Sequence, residues 1–136
     1  GLAPAPGTPA RGDYYRWLFF LAGPVESLLT ARHAGALAPA MSAGYGTEED
    51  VLRTLEQAVS GRQYLAGGHF TTADLLMAAF LGYYMMTGLI EKRPAFVEYA
   101  QRHARRPAAL AANARDEALA QAQPQPAQQG ASAEAR

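Results

Sequence analysis

The chain of 136 residues contains no cysteine. A disulfide bond, a thiolate metal ligand and a cysteine nucleophile are therefore excluded within it. Lys and Arg number 12 and are balanced by 12 Asp and Glu, so the formal net charge is zero. No excess of positive charge draws this chain to phosphate groups or to an anionic membrane surface, so we expect no nucleic-acid partner. We expect its partners to be recognised by shape.

A metal-binding pattern is also missing. The three histidines, His33, His69 and His103, are far apart in the sequence, and none belongs to a spacing such as H-x-x-x-H. The sequence therefore predicts no metal site.

Long apolar runs are lacking as well. The longest uncharged stretch that is mainly apolar, 75–90, has sixteen residues and is interrupted by Gly82 and Gly88, whereas a membrane span needs roughly 20. We therefore expect a buried core helix and no membrane partner. Residues 1–8 have neither an initiator Met nor the basic region of a signal peptide, and we interpret them as the end of an interdomain linker.

No segment alternates apolar and polar residues with period two, so the chain is expected to be all-α, a bundle of about five helices. The dipeptide Thr8-Pro9 starts a first helix that runs to His33 or Ala34, with a kink caused by Pro24. Further helices start at Thr47, Thr72, Pro94 and Pro107. The helical domain is predicted to span 9–122, and the Gln/Pro/Ala/Ser-rich residues 123–136 to form a disordered tail.

The first helix carries two stripes at helical spacing. The first is apolar and consists of Trp17, Leu21, Pro24/Val25 and Leu28. The second lies on a neighbouring face and consists of Tyr15, Phe19, Ala22/Gly23 and Glu26. Two stripes require two partners, so one stripe faces the bundle core and the other is covered by something else.

The stretch 67–75, Gly-Gly-His-Phe-Thr-Thr-Ala-Asp-Leu, has the chemistry of a helix start. Thr71 at the N-cap position and Asp74 three residues later can form a reciprocal capping box. A buried carboxylate could instead act as a general acid or base, but this spacing and the apolar neighbours favour a structural role for Asp74.

This capping sequence, preceded by Tyr64-Leu65-Ala66-Gly67, resembles a signature of the C-terminal helical domain of glutathione S-transferases. The resemblance covers Leu2 to Gln121, and it includes the aromatic run 14–20 and the segment 94–108, where the pattern is Pro94, Tyr99, Arg102, Arg106, Pro107 and Ala108. The chain is most similar in character to bacterial, cytosolic members of the family. The expected location is therefore the cytoplasm.

The resemblance implies that a thioredoxin-like N-terminal domain binds the co-substrate glutathione and supplies the Tyr, Ser or Cys that acts on its thiolate. No βαβ pattern is present here, so we expect that domain to be missing from this chain. We expect no catalytic residue within it and no turnover by it alone. The full-length parent would be a glutathione S-transferase that conjugates glutathione to small hydrophobic electrophiles, in keeping with a detoxification role.

The same resemblance implies that the second stripe of the first helix faces the cleft between this domain and the thioredoxin-like domain. Tyr15, Phe19, Gly23 and Glu26 are the candidate substrate-binding residues, with Gly23 allowing close approach of a ligand to the backbone. Two alternatives remain open: Tyr15 and Phe19 could pack on the missing domain, and Glu26 could be a surface residue.

Family members are commonly homodimers, and a homodimer is expected here, with Tyr14 and Arg16 as candidate subunit contacts. A rival hypothesis is a non-catalytic interaction or assembly module, because similar helical domains occur in translation factors and synthetase complexes. A third is a small-ligand carrier that uses the Tyr- and Met-rich third helix, although filling of the core by Met85 and Met86 is favoured over a ligand surface.

Overall fold

The computed structural model describes residues 1–122, and the predicted disordered tail at 123–136 lies outside them. All regular structure in the described part is helical. Two compact units are distinguished, residues 1–105 and a unit that begins at Arg106. The first unit contains α1 (Pro9–Phe20), α2 (Glu26–His33), α3 (Glu48–Val59), α4 (Thr72–Met86) and α5 (Pro94–Ala104), and the second contains α6 (Pro107–Ala122).

A π-helical turn, Leu21–Val25, joins α1 to α2 without a break in the helical backbone. Pro24 lies inside this turn and cannot donate a backbone hydrogen bond, which accounts for the widened turn at this position. The predicted continuous first helix is thus confirmed. With α1 and α2 taken as one helix, the described residues form the five helices that the sequence predicts.

The core of the first unit is built from the stripes that helical spacing predicts. Trp17, Leu21, Val25 and Leu28 are all buried. The buried residues of α3 also recur at helical spacing, namely Val51, Leu52, Leu55, Ala58 and Val59. Helix α4 packs against both α5 and α1, which explains why its sequence is apolar on most sides.

The start of α4 is organised around the buried carboxylate of Asp74. The predicted capping box with Thr71 is present, and the carboxylate accepts the backbone N–H of Thr71 at 2.8 Å. It also accepts hydrogen bonds from the backbone N–H of Leu65 at 2.7 Å and from the Tyr99 hydroxyl of α5 at 2.6 Å. Burial and the hydrogen bond to Asp74 raise the pKa of Tyr99. These contacts support the structural role of Asp74.

The residues that lead into α1 are fixed to the rest of the first unit. The carbonyl oxygen of Leu2 accepts hydrogen bonds from the backbone N–H of Thr72 at 2.8 Å and from its hydroxyl at 3.2 Å. Pro4 is buried, and Ala3 packs against the core. The chain therefore enters α1 alongside the first turn of α4.

Arg93, just before α5, connects α5 to α3. Its guanidinium donates to Glu49 and Glu56 of α3, each at 2.9 Å, and to nearby Glu91 at 2.6 Å. Burial alone would lower the pKa of Arg93, but the hydrogen bonds to Glu91, Glu49 and Glu56 outweigh it and raise the pKa.

Helix α6, described by itself, has no buried residue, and Leu110 and Leu119 are exposed on it. Its start at Pro107 agrees with the proline-initiated fifth helix expected from the sequence.

Candidate functional site

The second stripe of the first helix is exposed in the first unit. Phe19 is 71% exposed and Tyr15 is 42% exposed, which are high values for aromatic side chains. Their rings are stacked, with centroids 6.2 Å apart and planes at 30°. The buried ring of Tyr14 contacts the Tyr15 ring, with centroids 5.5 Å apart, but much of both side chains remains exposed and available to a ligand or to another domain.

Tyr15 is held by Arg11, one helical turn earlier. Nη2 of Arg11 donates to the Tyr15 hydroxyl at 2.6 Å, and Nη1 donates to the carbonyl oxygen of Pro4 at 2.8 Å. The guanidinium carbon also lies 4.7 Å from the centroid of the Tyr15 ring. Sequence reasoning missed Arg11, although a spacing of four residues on a helix would have indicated that the two side chains meet.

Gly23 lies in the π-helical turn next to the aromatic pair. Apart from its chain neighbours and the nearby helical backbone, a Cβ atom added there would meet no heavy atom within 4 Å. The surface beside the backbone is therefore open at this point, as close approach of a ligand would require.

Glu26 is exposed at the far end of the stripe, where the first helix passes the end of α4. Burial raises the pKa of Tyr84, and the negative charges of Glu26 and of ionised Tyr83 raise it further. The rings of Tyr83 and Tyr84 meet edge to face with centroids 5.2 Å apart. Glu26 is thus within electrostatic range of the Tyr83–Tyr84 pair, and the sequence did not predict this relationship because it involves two helices.

A separate groove lies between α4 and α5 and has a volume of about 480 Å³. Small side chains and two methionines line most of it, with one lysine: Ala78, Gly82, Met85, Met86, Lys92, Val97, Ala100, Gln101 and Ala104. Met85 is buried and fills the core as predicted, whereas Met86 is exposed. The methionine pair is therefore divided between core and surface.

Of the two predicted subunit contacts, Arg16 is exposed but Tyr14 is not. Tyr14 is buried in the first unit and belongs to its core. A subunit contact by the Tyr14 ring is therefore wrong for this fold, because the turn of α1 directs that ring inwards.

Within residues 1–122, no group of three or more His, Cys, Asp or Glu side chains is arranged to hold a metal ion. The helices of the same part of the chain are too short or too polar to cross a membrane.

Two solved structures share this fold. One is a glutathione S-transferase from Actinobacillus pleuropneumoniae, with a TM-score of 0.68 and 22% identity over 85% of this chain and 55% of that chain. The other is a glutathione transferase from Phanerochaete chrysosporium with oxidized glutathione, with a TM-score of 0.58 and 22% identity over 90% of this chain and 60% of that chain. This chain thus spans little more than half the length of either structure.

None of the curated proteins compared with the chain matches its sequence. The family model for the glutathione S-transferase C-terminal domain, in contrast, matches residues 25–107, which include most of the first unit. The motifs, the helical fold and this match agree, and the chain belongs to the family of glutathione S-transferase C-terminal domains.

Proposed function

We propose that this chain is the electrophile-side domain of a glutathione S-transferase, and that it works together with a thioredoxin-like domain that binds glutathione. The exposed Tyr15–Phe19 pair carries this proposal, because two stacked aromatic side chains in water need a covering partner. Family membership supports it further. In the proposed arrangement the stripe forms one wall of the cleft in which the electrophile binds.

The candidate substrate-binding residues have different roles in this proposal. Phe19 and the ring of Tyr15 contact the apolar body of the electrophile, and Gly23 leaves room beside the backbone. Glu26, with Tyr83 and Tyr84 nearby, provides polar groups at one end. The thiolate of glutathione is formed and held by the other domain, so this chain contributes orientation and proximity.

We further propose that the parent protein is a homodimer in the cytoplasm. Conjugation consumes the thiol form of glutathione, and the glutathione and thioredoxin systems of the cytosol keep thiols reduced. The dimer is an expectation from the family, and exposed Arg16 is the candidate contact that the fold leaves available.

The test is a conjugation assay with glutathione and a generic aryl halide. The natural gene product that carries this sequence is compared with the 136-residue chain alone. We expect activity in the former, provided that it includes a thioredoxin-like domain, and none in the latter. If the natural product has such a domain but no glutathione-dependent activity, the catalytic proposal is wrong and the chain is better explained as an interaction module.

A further inference from the structure

Arg11 connects the segment that enters the domain with the exposed stripe of α1. Its guanidinium donates to the Pro4 carbonyl at 2.8 Å and to the Tyr15 hydroxyl at 2.6 Å. A planar guanidinium presents several N–H donors in fixed directions, so one side chain can hold two acceptors at once.

The backbone at Pro4, whose carbonyl accepts from Arg11, is itself held in place. Pro4 is buried, and two residues earlier the Leu2 carbonyl is hydrogen-bonded to both donors of Thr72. Arg11 is therefore held by backbone that is anchored on α4. Because one end of the guanidinium has a defined position, the Tyr15 hydroxyl at its other end has a defined position too.

The direction of these hydrogen bonds determines what the Tyr15 hydroxyl can do. Its oxygen accepts from Arg11, so its own proton is free to be donated to another group. A cationic donor on that oxygen strengthens the hydroxyl as a donor. The stacked ring of Phe19 next to it offers apolar surface. A hydroxyl donor in a defined position beside an aromatic ring suits an electrophile that carries a hydrogen-bond acceptor oxygen next to an apolar group.

We propose that Arg11 is a positioning residue that fixes Tyr15 so that its hydroxyl donates to an acceptor oxygen of the electrophile. The inference rests on the proposed function and narrows its substrate class to acceptor-bearing electrophiles, such as α,β-unsaturated ketones. In that reaction the glutathione thiolate forms a bond to the β-carbon, the electron pair of the C=C bond moves towards the carbonyl oxygen, and a solvent proton is then taken up at the α-carbon. The Tyr15 hydroxyl would donate to the oxygen on which the charge develops.

The test is a double-mutant cycle in the natural protein that carries this sequence. It uses Arg11→Met, Tyr15→Phe and the double variant, with an aryl enone as one substrate and benzyl chloride, which has no acceptor oxygen, as the other. We expect Arg11→Met to lower kcat for the enone about fivefold, with little change in KM, because a hydrogen bond that strengthens in the transition state is weakened. Benzyl chloride should react as before, and Arg11→Met should have no further effect on the enone once Tyr15 is Phe.

The matched control is Arg53→Met, because Arg53 is an exposed arginine on α3 whose guanidinium pairs with Asp50 of its own helix and not with the stripe. Thermal unfolding of each variant shows whether it is folded. Equal losses on both substrates, or equal effects of Arg11→Met and Arg53→Met, would overturn the positioning role while leaving the transferase proposal intact. An unmodified protein that contains both domains but converts neither substrate would overturn the transferase proposal, and the inference with it.

Discussion

The hydroxyl of Tyr99 on α5 donates a 2.6 Å hydrogen bond to the carboxylate of Asp74 on α4, and both side chains are buried. The same carboxylate accepts the backbone N–H groups of Leu65 and Thr71. A buried charge is costly unless several donors surround it. Asp74 meets this condition, and through it the turn before α4, the first turn of α4 and the helix α5 are joined at one point.

Replacing Asp74 with Ala should destabilise the domain by about 3 kcal/mol, because several buried donors lose their acceptor at once. Equilibrium unfolding in urea measures this as a lower midpoint with an unchanged m-value. Asp13→Ala is the control, since Asp13 is an exposed carboxylate on α1. A loss at Asp74 no larger than at Asp13 would mean that the carboxylate is not a structural centre.

Tyr99→Phe should change how stability depends on pH. Burial raises the pKa of Tyr99 in the folded protein, whereas in the unfolded chain it is about 10. Above that pH the unfolded state releases a proton that the folded state keeps, so the unmodified protein loses stability as pH rises.

At pH 8 Tyr99→Phe should be less stable by about 1 kcal/mol, because one buried hydrogen bond is lost. The difference between the two proteins should then shrink as the pH is raised through 10 to 11, and the remaining tyrosines cancel in the comparison. Urea unfolding at each pH gives the result. A constant difference over this range would contradict the raised pKa of Tyr99.

Phe19→Ser should leave the stability of the domain nearly unchanged, because the side chain is already exposed. In the natural protein it should lower kcat/KM for an apolar electrophile about tenfold, since apolar contact with the substrate is lost. Met41→Ser is the control, because Met41 is a fully exposed apolar residue in the loop between α2 and α3. If the two variants have the same kcat/KM, Phe19 does not contact the electrophile.

Gly23→Ala should impair activity without the gain in stability that Ala usually brings to a helix. Replacing Gly with Ala inside a helix stabilises by roughly 0.5–1 kcal/mol, but Gly23 precedes Pro24, and a Cβ atom on the residue before a proline in a helical backbone crowds the proline ring. The same methyl group would narrow the proposed cleft and raise KM. Gly12→Ala, an equally open position earlier in α1, should stabilise without raising KM. An unchanged KM for both variants would place Gly23 outside the cleft.

The sequence predicts the part of the candidate site that depends on residues close to each other along the chain. The face shared by Tyr15 and Phe19 could be predicted because it depends on helical spacing alone, and the structure exposes both residues. The residues that lie next to the stripe could not be predicted. Tyr83 and Tyr84 are nearly 60 residues from Glu26 in the sequence, and the packing of α4 beside the first helix brings them near it. Whether the four stripe residues bind an electrophile stays a prediction.

The sequence by itself determined where the helices begin and which face of the first helix is buried. Thr71, Asp74 and the prolines at helix starts act through bonds and torsions within a few residues, so their effects can be derived without the rest of the chain. Only the tertiary structure decided which distant groups meet, such as Tyr99 with Asp74 or the Leu2 carbonyl with Thr72. Such contacts depend on how whole helices pack, and packing is fixed by the combined shape and burial of many side chains at once.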